Sequence, residues 1–316
     1  MSVLVLTVGV SLLIHYRQYE RRTAKPMAPN QTADKVLIGS PSLIKRDRSN
    51  LPPVSKDSYR VAYRKAHDYS LLVDAIKLAA NSGNPVAEYV TAKALRYCAD
   101  NSKPFFGANG SRKTFAEVQV RMGKTPGGYQ LTNEIYDHCH SYLDDPTLLK
   151  TTADWEKWLN LAVVAGYAPA QTEKADVLRV ADLMQDAQNA TSGDVIQPSE
   201  GQARALAMTA VLSGNPDSIL GMANWVDGTK HSGDEYYQLV SAWELLACQR
   251  GYDDCGADSQ CLRAVCMYDP QCADDSNVID SLRRQFGSGF DDVDRLAAEI
   301  GKALEAGDLK AVESFM

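Results

Sequence analysis

The residue types best suited to chemistry come together at one place in this chain, the run His138-Cys139-His140. Imidazole nitrogens and thiolates are common ligands of zinc in proteins. On a helix, side chains one and two positions apart point about 100° and 200° away from each other, so these three cannot readily share one ion. We therefore expect no metal site here, and we expect Cys139 to form a disulfide.

The other candidates for catalysis stand alone. His231 lies in the loop 227–233 beside no nucleophile, which predicts a solvated loop residue. The acidic run 291–294 lacks the glycine and the distal glutamate of a calcium loop, and it suits the positive end of a helix instead. Gly-x-Ser-x-Gly, a complete phosphate-binding loop, His-Glu-x-x-His and Cys-x-x-Cys are all missing from the sequence. We expect a protein without a cofactor that is not an enzyme.

A repeated turn indicates the kind of element from which the fold is built. Ser82-Gly83-Asn84-Pro85 returns unchanged as Ser213-Gly214-Asn215-Pro216, and each copy joins two runs rich in Ala and Leu. Glycine can adopt the left-handed conformation that ends a helix, asparagine can cap the next helix, and proline suits its first position. The motif predicts helix-turn-helix units.

Alignment on the turn glycine reveals further copies, in which small and aliphatic residues recur at the same offsets. The first copy has Leu78, Ala79, Gly83, Ala87, Ala92 and Leu95, the second has Leu161, Ala162, Gly166, Ala170, Ala175 and Leu178, and the third has Thr209, Ala210, Gly214, Ser218, Ala223 and Val226. A fourth begins as Leu246, Ala247 and Gly251. The wide gap between the first two glycines predicts a degenerate unit that carries an ordered insertion.

This pattern resembles that of the Sel-one-like repeats, a family of alpha solenoids related to tetratricopeptide repeats. The stretch 79–87 matches the family's paired alanines, glycine and later alanine well, whereas 162–170 and 210–218 match less fully. The resemblance extends over about residues 68–256, and the cysteine-rich run 247–272 resembles uncharacterised repeat proteins of gamma-proteobacteria. It implies an all-α fold, with a solenoid of helix-turn-helix repeats over 57–256 and a disulfide-stapled insertion. A non-repeating all-helical domain is the alternative.

The first 56 residues predict an N-terminal membrane anchor followed by a linker. The apolar run 1–14 is followed by four basic residues between 17 and 25, and no cleavage-site pattern of small residues comes after it. Fourteen helical residues span about 21 Å, short of the roughly 30 Å hydrocarbon core. We predict a short uncleaved anchor over 1–16 and an extended, basic, proline-containing linker over 17–56. A buried helix of a soluble domain is the alternative to the anchor.

Charge divides the chain into a basic start and an acidic body. Residues 1–65 hold 12 Lys/Arg and 4 Asp/Glu, a balance of +8, and the remainder holds 21 and 36, a balance of −15. An acidic body disfavours nucleic acid as a partner because phosphates need a positive face. The basic stretch suits a segment beside the membrane.

The cysteines favour an oxidising compartment, since five of the seven crowd between positions 248 and 272. The positive-inside rule would keep the basic flank in the cytoplasm, a conflict that disappears if the true start lies upstream of Met1. We expect an anchor in the inner membrane with a periplasmic body, and a secreted protein is the alternative.

Helix geometry restricts the pairing of these cysteines. Cys98 ends the second helix of the first unit, Cys139 lies on an amphipathic run, and no other cysteine is near either of them, so we pair these two. Cys261 is left as the odd thiol. Four further cysteines are expected in bridges whose connectivity stays open, namely Cys248, Cys255, Cys266 and Cys272.

Residues 257–316 combine the cysteine-rich segment with acidic amphipathic stretches and are expected to form a helical cap, because a solenoid needs a polar terminal element. Helical repeats of this kind mostly present surfaces to other proteins. The predicted function is a membrane-tethered periplasmic scaffold for protein-protein interaction, with another protein or peptide of the cell envelope as partner. An immunity protein that neutralises a secreted antibacterial effector is the alternative, and an enzyme of unknown type comes third. The oligomeric state stays open.

Aromatic residues are the candidates for partner binding because interface hot spots favour Trp and Tyr. The resemblance implies that the first helix of each unit lines the inner wall, and packing between repeats is the alternative role. The candidates are Trp155, Trp158, Tyr236, Tyr237 and Trp243.

Overall fold

The computed structural model describes residues 56–107, 110–122, 126–189, 200–252, 254–256, 262 and 275–316. The predicted anchor, nearly all of the linker and the cysteines at 261, 266 and 272 lie outside these residues. Within the described residues every regular element is a helix, and one isolated antiparallel bridge pairs Phe106 with Arg112. The predicted all-α class is confirmed.

The α-helices are, in chain order, α1 (Lys56–Lys65), α2 (Tyr69–Asn81), α3 (Pro85–Asn101), α4 (Phe115–Met122), α5 (Pro126–Asp144), α6 (Pro146–Thr151), α7 (Trp155–Val164), α8 (Ala168–Asn189), α9 (Glu200–Val211), α10 (Pro216–Gly221), α11 (Asp234–Gln249), α12 (Val278–Phe286), α13 (Phe290–Ala306) and α14 (Leu309–Glu313). Short 3-10 helices lie at Lys103–Phe105, Thr152–Asp154, Met222–Trp225 and Gly287–Gly289. Across the described ranges, each helix is too short or too polar to span a bilayer.

Glycine turns follow four of the helices. Gly83 closes α2, Gly166 closes α7, Gly214 closes α9 and Gly251 follows α11, with φ angles of 84°, 77°, 69° and 86°. These angles lie in the left-handed region, where a side chain would be strained, so the glycines cannot be replaced without cost.

Asparagine then starts the second helix in two of the units. The side chain of Asn84 accepts hydrogen bonds at 3.1 Å from the amides of Val86 and Ala87 at the start of α3. The side chain of Asn215 accepts one at 3.0 Å from Asp217 at the start of α10. A proline occupies the first helical position in both cases, where its missing amide is not needed.

A fifth turn of the same kind, centred on Gly307, joins α13 to α14. The Asp308 amide bonds to the Ala303 carbonyl at 3.0 Å, as the Asn84 amide bonds to the Ala79 carbonyl at 3.1 Å in the first turn. The predicted cap therefore contains a hairpin whose turn has the geometry of the turn at Gly83, a feature that was not predicted from the sequence.

The hairpins pack in the order of the chain. Helix α3 packs against α7, α8 against α9 and α10, α10 against α11, and α11 against α13. The segment α4–α6 is an ordered insertion in which α5 packs on both α2 and α3. Small residues such as Ala87, Ala162 and Ala170 are fully buried where the helices approach.

Two cysteine pairs lie at disulfide-bonding distance. The sulfur atoms of Cys98 on α3 and Cys139 on α5 are 1.99 Å apart, as their predicted pairing requires. Those of Cys248 and Cys255 are 1.94 Å apart, a connection that the sequence left open. The first pair lies between α3 and α5, and the second lies at the two ends of the loop that follows α11.

Candidate functional site

The three residues of the His-Cys-His run have separate structural partners. Cys139 faces Cys98, the His138 ring stacks on Tyr69 with centroids 4.5 Å apart, and Nε2 of His140 lies 3.2 Å from Oδ2 of Asp68. Among the described residues, no three His, Cys, Asp or Glu side chains are grouped so that they could hold a metal ion. The run serves to dock α5 onto the first hairpin.

A small cavity of about 40 Å³ lies where α1, α3, the start of α10 and the turn after α11 meet. We call it the Tyr89 groove. It is lined by Arg60, Tyr63, Arg64, Tyr89, Val90, Lys93, Asp217, Tyr252 and Asp254. The lining combines cations, carboxylates and three phenol rings, and it draws on α1, α3, α10 and the turn after α11.

An ion pair between Arg60 and Asp217 crosses the Tyr89 groove. Arg60 comes from α1, whereas Asp217 sits in the first turn of α10, where the Asn215 cap fixes the backbone. Both side chains are mostly buried, at 19% and 15% exposure, so the pair is screened less than a surface ion pair. The carboxylate of Asp217 is therefore placed to receive a guanidinium group.

Aromatic rings and an ammonium group form the opposite part of the groove. The Lys93 ammonium lies 5.2 Å from the centre of the Tyr63 ring and 5.7 Å from that of Tyr89. The Tyr63 ring also stacks on Tyr69 at 4.8 Å. The Tyr63 ring is thus held by stacking on Tyr69 and by the cation of Lys93.

A buried polar cluster lies next to the groove, between α3 and α8. The Tyr89 hydroxyl donates to Oε2 of Glu173 at 3.1 Å, and Nη1 of Arg96 donates to Oε1 of Glu173 at 2.7 Å. Burial, together with the nearby carboxylates of Glu173 and Asp217, raises the pKa of Tyr89 well above its ordinary value. Both effects favour the neutral, hydrogen-bond-donating form of Tyr89.

A second cluster of similar kind lies between α8 and the 3-10 helix after α10. The Arg179 guanidinium lies 5.1 Å from the centre of the Trp225 ring, and its Nη2 is 3.3 Å from Oδ1 of Asp176. The Asn224 side chain donates to Oδ2 of Asp176 at 3.1 Å. Burial raises the pKa of Asp176, and Arg179 opposes this rise.

The five predicted partner-binding residues do not line the Tyr89 groove. Trp155 and Trp158 are half-buried on α7, under the cations of Arg96 at 4.9 Å and Lys157 at 5.5 Å respectively. Both tryptophans pack against the hydrophobic core of the first hairpin.

The aromatic residues of α11 divide into two groups. Tyr236 and Tyr237 are half-buried and meet edge to face at 5.3 Å. Trp243 is fully buried, and its indole nitrogen donates to the Phe315 carbonyl at 3.2 Å. Trp243 is therefore not exposed at a surface, because α13 and the C-terminal residues cover this face of α11.

Several groove residues were missed because second helices contribute them. Tyr89 and Lys93 lie on α3, and Asp217 lies on α10, whereas binding residues were expected on the first helices. A usable signal was the pair of turns Gly166-Tyr167 and Gly251-Tyr252, which place a tyrosine directly after the turn glycine. The ring centres of Tyr167 and Tyr89 are 5.3 Å apart, and Tyr252 lines the groove.

A larger and more open cavity of about 380 Å³ lies between α9 and α14. Its lining is mainly apolar and includes the ion pair of Arg204 with Glu313 at 3.2 Å. The other lining residues are Gly201, Ala205, Met208, Thr209, Leu212 and Leu309.

The Tyr89 groove has the chemistry of a recognition site. Its carboxylates can pair with cations, its phenol rings can stack, and its Lys93 can lie over an aromatic ring.

Comparison with known proteins gave no match among family models, curated proteins or solved structures.

Proposed function

We propose that this chain is a scaffold for protein-protein interaction, tethered to the inner membrane, with a periplasmic body formed by a solenoid of Sel-one-like hairpins. The observation that carries the proposal is the order of packing, in which α3 contacts α7, α8 contacts α9, α10 contacts α11 and α11 contacts α13. Stacking of neighbouring units is how repeat proteins build extended binding surfaces.

The chemistry of the Tyr89 groove supports the same proposal. Side chains from the first, third and fourth units converge on it, so a partner that binds there would read several repeats at once. Tyrosine and arginine are the residue types that dominate binding energy at protein interfaces.

The proposed compartment is supported by the two cysteine pairs at bonding distance. Thiol counting on the native full-length protein tests it. We expect at most three free thiols in protein purified from its native cells without reductant. Six or seven free thiols would place the body in a reducing compartment instead.

Affinity capture from an envelope extract tests the scaffold function, using the full chain in detergent with a C-terminal tag. We expect one envelope protein to be recovered in a fixed ratio to the bait. Recovery of general chaperones alone would contradict the proposal. Trp155→Ala and Tyr236→Ala then show whether the half-buried aromatic residues take part, since a binding role predicts a larger loss of capture than of melting temperature.

The acidic body favours a second candidate, an immunity protein for a secreted antibacterial effector. A balance of −15 over residues 66–316 would speed association with a basic toxin. Protection of a sensitive strain against a competitor would support this candidate. A defect of the cell envelope in pure culture after deletion of the gene would support the scaffold.

A further inference from the structure

Helix α1 is the most loosely packed helix that borders the Tyr89 groove. None of its residues from Tyr59 to Lys65 is fully buried, whereas α2 and α3 each contain several fully buried side chains. A ten-residue helix is also short of the length at which helices persist alone in water, about 12–15 residues. Its contacts with the rest of the fold therefore keep it in place, as expected of an element at the low-stability end of a structure.

Two of those contacts reach the groove, besides the apolar packing of the helix on the neighbouring hydrophobic core. Arg60 pairs with Asp217, which lies more than 150 residues away in the chain. Tyr63 stacks on Tyr69 and lies under the ammonium of Lys93. Arg60 and Tyr63 are three residues apart, so they project from the same face of α1 into the groove.

The other walls of the groove thus hold, in α1, which forms one wall itself, an example of the ligand that they can recognise. Asp217 accepts a guanidinium, and Tyr69 and Lys93 receive an aromatic ring one helical turn further on. Asp254 and Tyr252 from the turn after α11 complete the lining. A helix of another protein that carries the same two side chains can make each of these contacts.

We propose that the Tyr89 groove is the site at which the partner binds, and that the partner supplies an amphipathic helix with an arginine followed three positions later by an aromatic residue. This helix displaces α1 and takes over its contacts with Asp217, Tyr69 and Lys93. The inference rests on the proposed scaffold function and names the class of partner. In the free protein, α1 occupies the site and lowers the apparent affinity for the partner by the fraction of time for which it is bound.

A labelled peptide of residues 56–66 is the probe, titrated against the full-length protein. Wild-type protein should bind it weakly because α1 already fills the groove. The variant Arg60→Glu should bind it at least tenfold more tightly, since its own helix is repelled by Asp217. Replacing Tyr63 by alanine in the peptide should reduce its affinity for this variant at least fivefold.

A charge exchange supplies the decisive comparison. Asp217→Arg should not bind the wild-type peptide, and it should bind the peptide that carries Arg60→Glu. Arg204→Glu, which breaks an ion pair outside the groove, is the matched control and should bind like wild type. Circular dichroism and melting curves of each variant show that loss of binding is not loss of folding.

Equal affinity of the peptide for wild type and Arg60→Glu would overturn the inference, and so would failure of the charge exchange in folded variants. A dimer of the wild-type protein that Arg60→Glu dissociates would also overturn it, because the occupant would then be α1 of a second copy.

Capture from the envelope extract separates this inference from the proposed function. A partner recovered equally by wild type, Arg60→Glu and Asp217→Arg would uphold the scaffold and overturn the groove as its site. Peptide binding that obeys the charge exchange, without any captured envelope protein, would uphold the groove and contradict the scaffold.

Discussion

The guanidinium of Arg96 lies 4.9 Å from the centre of the Trp155 ring, and so it joins the second helix of one hairpin to the first helix of the next. The same group donates to Glu173 on α8 at 2.7 Å. Arg179 stands at the same distance from its turn glycine, 13 positions after Gly166, as Arg96 stands after Gly83. The Arg179 guanidinium likewise lies 5.1 Å from the centre of the Trp225 ring. In both cases an arginine 13 positions after a turn glycine therefore contacts an aromatic ring further along the chain.

Arg96→Ala should lower the free energy of unfolding by about 2 kcal/mol, because it removes the cation from the Trp155 ring and leaves the half-buried Glu173 carboxylate without this donor. Arg96→Lys should recover part of this loss, since an ammonium keeps the charge but not the planar guanidinium. Urea denaturation measures both. Lys157→Ala, at an exposed cation over Trp158, is the control and should change stability by less than about 0.5 kcal/mol. Equal losses of unfolding free energy at positions 96 and 157 would show that the contact between the hairpins stabilises the fold no more than an exposed contact does.

The turn at Gly307 leads to a second prediction. The side chain of Asp308 accepts a hydrogen bond at 3.0 Å from the Ala311 amide, so it caps α14 as Asn84 caps α3. Asp308→Ala and Asn84→Ala should each cost about 1 kcal/mol of stability. Lys302→Ala, on the exposed side of α13, is the control and should be nearly neutral. If Asp308→Ala were as neutral as the control, α14 would be a frayed end and not part of a hairpin.

The local features of this fold could be predicted from the sequence because they depend on neighbouring residues. A positive φ angle at Gly83 and a cap by Asn84 involve atoms within a few positions of each other. The turn at Gly307 could have been predicted on the same grounds, since Ala303, Gly307 and Ala311 stand at the offsets of Ala79, Gly83 and Ala87. It was missed because a solenoid was expected to end in a cap.

The Tyr89 groove could not be predicted in this way. The ion pair of Arg60 with Asp217 joins residues more than 150 positions apart, and it depends on how several hairpins stack. The burial of Trp243 likewise depends on α13, which lies some 50 residues further along the chain. Spacing on one helix shows which residues share a face, but not which neighbour covers it.

The two cysteine pairs should differ in their effect on stability. Closing a loop of 41 residues, as between Cys98 and Cys139, stabilises the fold by about 4 kcal/mol in the chain-entropy treatment. A separation of 7 residues, as between Cys248 and Cys255, gives about 2.5 kcal/mol. Double replacement of each pair by serine, followed by denaturation without reductant, measures the two effects. The same variants compared with wild type in reductant form the control, since the differences should then largely disappear.

Glu244 on α11 should make stability depend on pH near neutrality. Burial raises the pKa of its carboxyl group from 4.5 to about 7, so the folded protein binds this proton more tightly than the unfolded chain does. Stability from this group is therefore fully present below about pH 4.5 and is lost as the pH rises towards 7. Glu244→Gln should remove the loss and make the protein more stable at pH 8 by about 1–2 kcal/mol, less than the full shift implies because the side chain keeps some contact with solvent.

Denaturation curves of wild type and Glu244→Gln at intervals between pH 4.5 and 8 measure this difference. The two proteins should be nearly equal at the acid end and should diverge as the pH rises. Glu299→Gln serves as the matched control, because Glu299 lies at the surface, where it pairs with Arg295. A constant difference between wild type and Glu244→Gln at every pH would mean that the carboxyl group is already ionised in the folded protein, and the substitution would then report packing alone.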